Sequence, residues 1–121
     1  MEKFINLTNH PSDRWSHSQR SAAESCGEIV DISFPSISPH ADSAEIDLLV
    51  SEYYSKIKKY DCSAVMVQGE FVFTYRLVKH LKESGYTILS ACTERRVTEF
   101  TDENGRTQSK SEFEFVGFRE Y

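Results

Sequence analysis

Three apolar segments of the sequence each run into a short group of polar residues whose side chains suit the binding or cutting of a phosphodiester. These groups are Asn9, His10 and Ser12; Gln68, Gly69 and Glu70; and Thr93, Arg95 and Arg96. If the three segments are neighbouring parallel strands, their polar ends lie at one edge of a sheet, which is where open α/β folds bind ligands. The sequence therefore predicts one ligand crevice built from three strand ends.

The candidate catalytic residues are His10, Glu70 and Arg95. An unperturbed imidazole titrates near pH ~6.5, so His10 can exchange protons with a reacting group or donate to a phosphate. A guanidinium suits phosphodiester oxygens, and if the strand continues, Arg95 and Arg96 alternate in direction so that one of them faces the crevice. Glu70 can balance such an arginine or act as a base, although a glutamate in the first turn of a helix is also a common partner of the helix dipole.

The remaining polar residues are candidate ligand-binding groups. The amides of Asn9 and Gln68 can read an adenine edge or a ribose hydroxyl. Ser12 is predicted to cap a helix and to bind phosphate through the same hydroxyl. Gly69 lets an anion approach the main chain or makes a tight turn, and Thr93 adds a hydroxyl at the rim.

Hydrophobic periodicity predicts the elements that position these residues. We expect strands over 3–8, 28–34, 64–68 and 86–91, helices over 13–26, from Asp42 to about Lys59 and over 71–84, and hairpin strands over 97–101 and 112–118. The sequence from Asp102 to Gly105 is a strong turn signal between the hairpin strands. The alternation predicts an α/β fold, a Rossmann-like mainly parallel sheet in strand order 2-1-3-4 flanked by helices, with a C-terminal β-hairpin.

The length, net charge, cysteine spacing and apolar runs of the sequence limit the classes of protein to which it can belong. At 121 residues the chain is predicted to form one domain, 1–121. A formal net charge of −5 argues against the binding of long DNA or RNA, which depends on many Lys and Arg contacts. The three cysteines have no paired spacing that would indicate a disulfide framework or a zinc site. No apolar run approaches the ~20 residues that cross a bilayer. We expect a cytoplasmic protein without membrane association.

The usual motifs of nucleotide and hydrolase sites are absent from the sequence. It contains no Gly-x-Gly-x-x-Gly, no Walker loop and no Gly-x-Ser-x-Gly elbow. Metal-ligand spacing is also absent, so any hydrolysis is expected to need neither metal nor cofactor. Such chemistry is feasible for RNA-like phosphodiesters, because a protein can hold a ribose 2′-hydroxyl in line with the adjacent phosphorus and stabilise the developing charge.

The motifs at the three strand ends together resemble those of a known family. They are Asn9-His10-Pro11 followed by Trp15 and Gln19, the turn Val67-Gln68-Gly69-Glu70-Phe71, and the loop Thr93-Glu94-Arg95. They are similar to those of small stand-alone CRISPR-associated Rossmann-fold (CARF-like) proteins, and within that group to single-domain ring nucleases. The resemblance implies a homodimer that binds cyclic oligoadenylate across its two-fold axis. It further implies metal-free cleavage to linear products, which ends a type III CRISPR signal, and it places the three polar groups in the site.

Two other functions stay open from the sequence. The chain lacks the long basic lid of better-known members and is acidic overall, which leaves a non-catalytic cyclic-nucleotide sensor or sponge as one alternative. An unrelated flavodoxin-like interaction module, whose crevice binds no nucleotide, is the other.

Overall fold

The structure is a computed structural model that describes residues 2–121, and it consists of one sheet with helices on both faces. The elements are β1 (Lys3–Thr8), a 3-10 turn (Ser12–Arg14), α1 (His17–Glu24), β2 (Glu28–Ser33), α2 (Ser43–Lys58), β3 (Cys62–Val67), α3 (Phe71–Glu83), β4 (Ile88–Thr101) and β5 (Thr107–Glu120). The strand order is β2-β1-β3-β4-β5, parallel except for the antiparallel pair β4–β5. The predicted fold class and the order of the first four strands are confirmed.

The sheet separates the hydrophobic core into two layers, each covered by one or more helices. Ile5, Leu7 and Val65 belong to the layer under α2 and α3, whereas Phe4 and Met66 face α1. The helix that follows β1 and the helix that follows β3 thus lie on opposite faces of the sheet. Because β1 and β3 are neighbours, their carboxyl ends form the switch point at which such folds bind ligands. Within residues 2–121 none of the helices has the length and apolar character that a bilayer crossing requires.

The first helix begins later than the sequence predicts. The prediction of a helix from Asp13 capped by Ser12 is wrong, because α1 begins at His17 and the Ser16 hydroxyl accepts the capping hydrogen bond from Gln19. Ser12 instead starts the short 3-10 turn and is almost fully buried. Its side chain donates to Asp31 of β2 and is therefore not free to cap a helix.

The fourth strand continues through the predicted rim loop. The prediction that residues 93–96 form a loop is wrong, since β4 extends to Thr101 and pairs with β5 along its length. Only Ile88 and Leu89 of β4 pair with β3. Beyond them β4 and β5 form a two-stranded ribbon, which ends at the predicted turn where Gly105 has a φ of 77°. The ladder with β5 gives residues 93–101 interstrand hydrogen bonds on one side and holds them in an extended conformation.

Candidate functional site

A crevice of about 510 Å³ opens at the carboxyl ends of β1 and β3, on the face of the sheet that carries α1. His10, Gln68 and Thr93 line it, so one residue from each predicted polar group reaches the same site. Arg14 adds a guanidinium from the 3-10 turn. The rings of Trp15, Phe113 and Phe115 form its aromatic walls.

The backbone at His10 is fixed by hydrogen bonds with three nearby side chains, those of Asn6, Thr8 and Trp15. Its carbonyl oxygen accepts from Asn6 Nδ2 at 2.9 Å and from Trp15 Nε1 at 3.0 Å. Its N–H donates to Thr8 Oγ1 at 3.1 Å. Within residues 2–121 the imidazole itself has no hydrogen-bond partner, so both ring nitrogens are available to a ligand in the crevice.

Asp31 of β2 supports this arrangement from the neighbouring strand. Asn6, which is 1% exposed, donates from Nδ2 to Asp31 Oδ1 at 2.8 Å. The Ser12 hydroxyl donates to Oδ2 at 2.8 Å, and the Ser12 N–H donates to Oδ1 at 3.2 Å. Ser12 therefore anchors the β1 turn, and it does not line the crevice as a phosphate ligand. Asn9 is exposed and lies outside the crevice lining as well.

Asp31 was not among the predicted site residues, although the sequence contains a signal for it. Asn6 and Asp31 are polar residues inside two apolar strands, and they are direct neighbours in the parallel register. A buried amide in such a position needs a partner. The pairing of β1 with β2 supplies it.

Gln68 closes the end of β3 against both of its neighbours. Its side-chain Oε1 accepts from the N–H of Ala91 in β4 at 2.7 Å, and its own N–H donates to the Leu7 carbonyl of β1 at 3.3 Å. The side-chain Nε2 has no partner within residues 2–121. Gln68 can therefore offer a ligand two N–H donors, while its acceptor oxygen is already used.

Gly69 and Glu70 both have structural roles at the start of α3. A Cβ at Gly69 would lie 2.2 Å from Cζ of Phe34, so the absent side chain makes room for that ring. The Glu70 carboxylate accepts the N–H of Phe73 at 2.8 Å as the N-cap of α3. The crevice lining includes neither residue. Of the roles that the sequence left open for Glu70, the structure shows the one at the helix terminus, since its carboxylate caps α3.

The two arginines of β4 lie on the ribbon and not in the crevice. Arg95 Nε donates to Ser111 Oγ across the strand pair at 2.8 Å. Arg96 forms an ion pair with Glu114. Arg14 provides the positive charge that the sequence analysis expected from Arg95. Its position four residues after His10, in the same turn region, was the available signal.

The comparison with protein families gives one match. A family model covers residues 2–119, and its description is the uncharacterized protein MJ1673 family. The chain belongs to the MJ1673 family. None of the curated proteins compared with the chain matches it. All crevice residues of this MJ1673-family chain fall within the matched range.

A second cavity of about 560 Å³, here called the α3 cavity, lies on the opposite face of the sheet from the crevice in this MJ1673-family chain. Gln68 and Ala91 line both spaces, and Thr74 of α3 lines the α3 cavity. The Tyr121 hydroxyl donates to the Val67 carbonyl at 2.7 Å. Burial raises the pKa of Tyr121 above its usual value because it penalises the phenolate. Among residues 2–121, no three His, Cys, Asp or Glu side chains are grouped so that they could hold a metal ion.

Proposed function

We propose that this protein binds cyclic oligoadenylate in the crevice and cleaves it as a ring nuclease, a metal-independent phosphodiesterase that ends type III CRISPR signalling. The observation that carries the proposal is the crevice lining at the switch point. An unpaired imidazole, a guanidinium and an amide donor surround the space together with aromatic rings. The resemblance of the strand-end motifs to those of CARF-like ring nucleases supports cyclic oligoadenylate as the ligand.

In the proposed reaction His10 removes the proton of a ribose 2′-hydroxyl. The 2′-oxygen attacks the adjacent phosphorus, the bond from phosphorus to the 5′-oxygen breaks, and the leaving oxygen takes up a proton from solvent, to which His10 returns the proton that it removed. The product is a linear chain with a 2′,3′-cyclic phosphate. Arg14 and the Nε2 group of Gln68 stabilise the charge on the phosphoryl oxygens, and Thr93 contacts the ribose at the rim.

The aromatic residues of the crevice supply a place for the bases. Trp15 lies on one side of the space and Phe113 and Phe115 of β5 on another. Adenine stacks on such rings, and each stacked base typically contributes about 1–3 kcal/mol to binding. These rings compensate for the acidic net charge, because binding then depends less on phosphate contacts.

The size of the ligand favours a homodimer. A crevice of about 510 Å³ is in the range that holds one small ligand. A ring of several adenylates is larger, so we propose that two copies place their crevices around one ring. The free thiols of Cys26, Cys62 and Cys92 suit a reducing, cytoplasmic location.

A sensor or sponge that binds cyclic oligoadenylate without cutting it is the second candidate. One specific observation favours it: Glu70 is used as a helix cap and Arg95 is paired on the ribbon, so two expected catalytic groups are committed elsewhere. Binding through the crevice lining would then remain, and the imidazole of His10 would act only as a donor.

Incubation of the full chain with synthetic cyclic tri-, tetra- and hexa-adenylate in EDTA, followed by chromatography, tests cleavage. A thermal-shift measurement with the same rings tests binding. We expect His10→Ala to abolish cleavage and to keep most of the thermal shift, whereas His40→Ala, in an exposed loop, changes neither. A thermal shift without any linear product would leave the sponge. The absence of both would remove both functions.

A further inference from the structure

The α3 cavity has the chemistry of a binding site that is separate from the crevice. It lies between the first half of α3 and the ends of β3 and β4, and its volume of about 560 Å³ is in the range of small-molecule sites. None of its lining residues within 2–121 is Asp, Glu, Lys, Arg or His. Among the residues that the structure describes, its lining therefore offers no ionised side chain as a partner for a charged ligand, which favours a neutral one.

One buried polar atom in the lining has no partner. Thr74 is 8% exposed, and its hydroxyl oxygen makes no hydrogen bond with any residue of 2–121. Its backbone N–H is paired normally with the Glu70 carbonyl. Buried hydroxyls are nearly always paired, and an unpaired one calls for an explanation such as a bound group. A ligand in the α3 cavity would provide the missing partner after a rotation of the Thr74 side chain.

The walls of the cavity are aromatic. Phe71 and Tyr75 stand one helical turn apart on α3 and are 90% and 67% exposed, which is unusual for such large apolar side chains. The ring of Tyr121 closes another side, and its hydroxyl is already used by Val67. Flat walls of this kind favour a planar aromatic ligand, since aromatic rings prefer stacked or edge-to-face contacts.

We propose that the α3 cavity binds a neutral, planar aromatic heterocycle, such as a nucleobase, that hydrogen-bonds to the Thr74 hydroxyl. The aromatic side chains favour a planar ligand, the Thr74 hydroxyl favours a polar ring atom, and the lining within residues 2–121 offers no ionised side chain as a partner for a charged compound. This site does not depend on the proposed function, because it requires neither His10 nor a phosphodiester.

The test is a calorimetric titration of the full chain with adenine, with toluene as an apolar planar probe and benzoate as a charged one. We expect adenine to bind more tightly than toluene and benzoate not to bind. Thr74→Val keeps the shape and removes the hydroxyl, so it weakens adenine about fivefold to tenfold, the effect of one neutral hydrogen bond. The same change leaves toluene binding unaltered, and Thr98→Val on the exposed ribbon is the matched control.

A second variant separates the two sites. Adenine binding that is lost in His10→Ala and retained in Thr74→Val would place the base in the crevice and overturn the proposal. Equal affinities of the wild-type protein and Thr74→Val for adenine would also overturn it, and so would the absence of binding by every probe. The melting temperature of Thr74→Val reports folding independently, and it is expected to equal or exceed that of the wild-type protein.

Discussion

Replacement of Asp31 by alanine is expected to weaken both the fold and the geometry of the crevice, although Asp31 lies outside the crevice lining. Its carboxylate accepts three hydrogen bonds, one from the buried Asn6 amide and two from Ser12. The alanine variant leaves these donors without an acceptor. The Asn6 amide also holds the His10 carbonyl, so the position of the imidazole loosens at the same time.

The size of the stability loss in Asp31→Ala depends on how many hydrogen bonds are lost and on how exposed they are to water. A hydrogen bond to a charged group typically contributes about 1.5–3 kcal/mol to stability, which would give several kcal/mol for Asp31. Asp31 is exposed at the sheet edge, so water reaches the vacated space and replaces part of the lost hydrogen bonding. We therefore expect a loss of about 2–3 kcal/mol in the free energy of unfolding. For a domain of this size that corresponds to a fall in Tm of roughly 6–15 °C.

Denaturant unfolding of three variants measures the effect. Asp31→Asn keeps the Oδ1 acceptor for Asn6 and is expected to lose less than half as much stability as Asp31→Ala. Asp47→Ala is the matched control, because Asp47 forms an exposed ion pair with Arg76 at 3.1 Å and such pairs contribute about 0–1 kcal/mol. If Asp31→Ala unfolds at the same denaturant concentration as Asp47→Ala, the argument for a supporting network is refuted.

Three further predictions concern other parts of the molecule. Gly69→Ala is expected to lower the free energy of unfolding by about 1–3 kcal/mol, because the added Cβ collides with the Phe34 ring. Urea unfolding should show a much smaller decrease when the same change is made in a Phe34→Leu background. Burial raises the pKa of Tyr121, so the stability from its neutral form is fully present below about pH 10 and is lost as the pH rises through the higher folded-state pKa. Tyr121→Phe should therefore reduce the alkaline loss of stability in unfolding measured from pH 8 to 11.5, and an unchanged pH profile would contradict this. Burial also raises the pKa of the Cys62 thiol, so a thiol reagent should modify the exposed Cys26 well before Cys62, as measured by mass spectrometry. Equal modification rates would show that burial does not control the reactivity of these thiols.

The fold was predictable because its signals are local and agree with one another. The apolar run of β3 indicates a strand buried on both sides, and Asp42 caps α2 by accepting from Glu45, as its sequence pattern predicts. Gly85 follows α3 with a φ of 89°, which suits a residue without a side chain. Each of these features depends on residues within a few positions, so the sequence reveals them directly.

The site was predictable only in part, because hydrogen bonds between elements decide which polar side chains are free. Ser12 has the residue type of a helix cap or phosphate ligand, but Asp31 of another strand engages it. Glu70 has the residue type of a general base, but the first turn of α3 uses its carboxylate. Residue type alone therefore overestimates the number of groups available for chemistry.

His10 and Gln68 lie at the same crevice, whereas Arg95 does not, because different strand pairings fix their positions. The ends of β1 and β3 are fixed by a parallel register of several residue pairs, so side chains that follow these strands must lie close together. Beyond Leu89 the strand that pairs with β4 in the described residues is β5, and Arg95 pairs with Phe113, 18 positions later in the chain. Once that pairing carries β4 past the sheet edge, Arg95 moves out along the ribbon. The positive charge at the crevice then has to come from a residue near β1, which is where Arg14 lies.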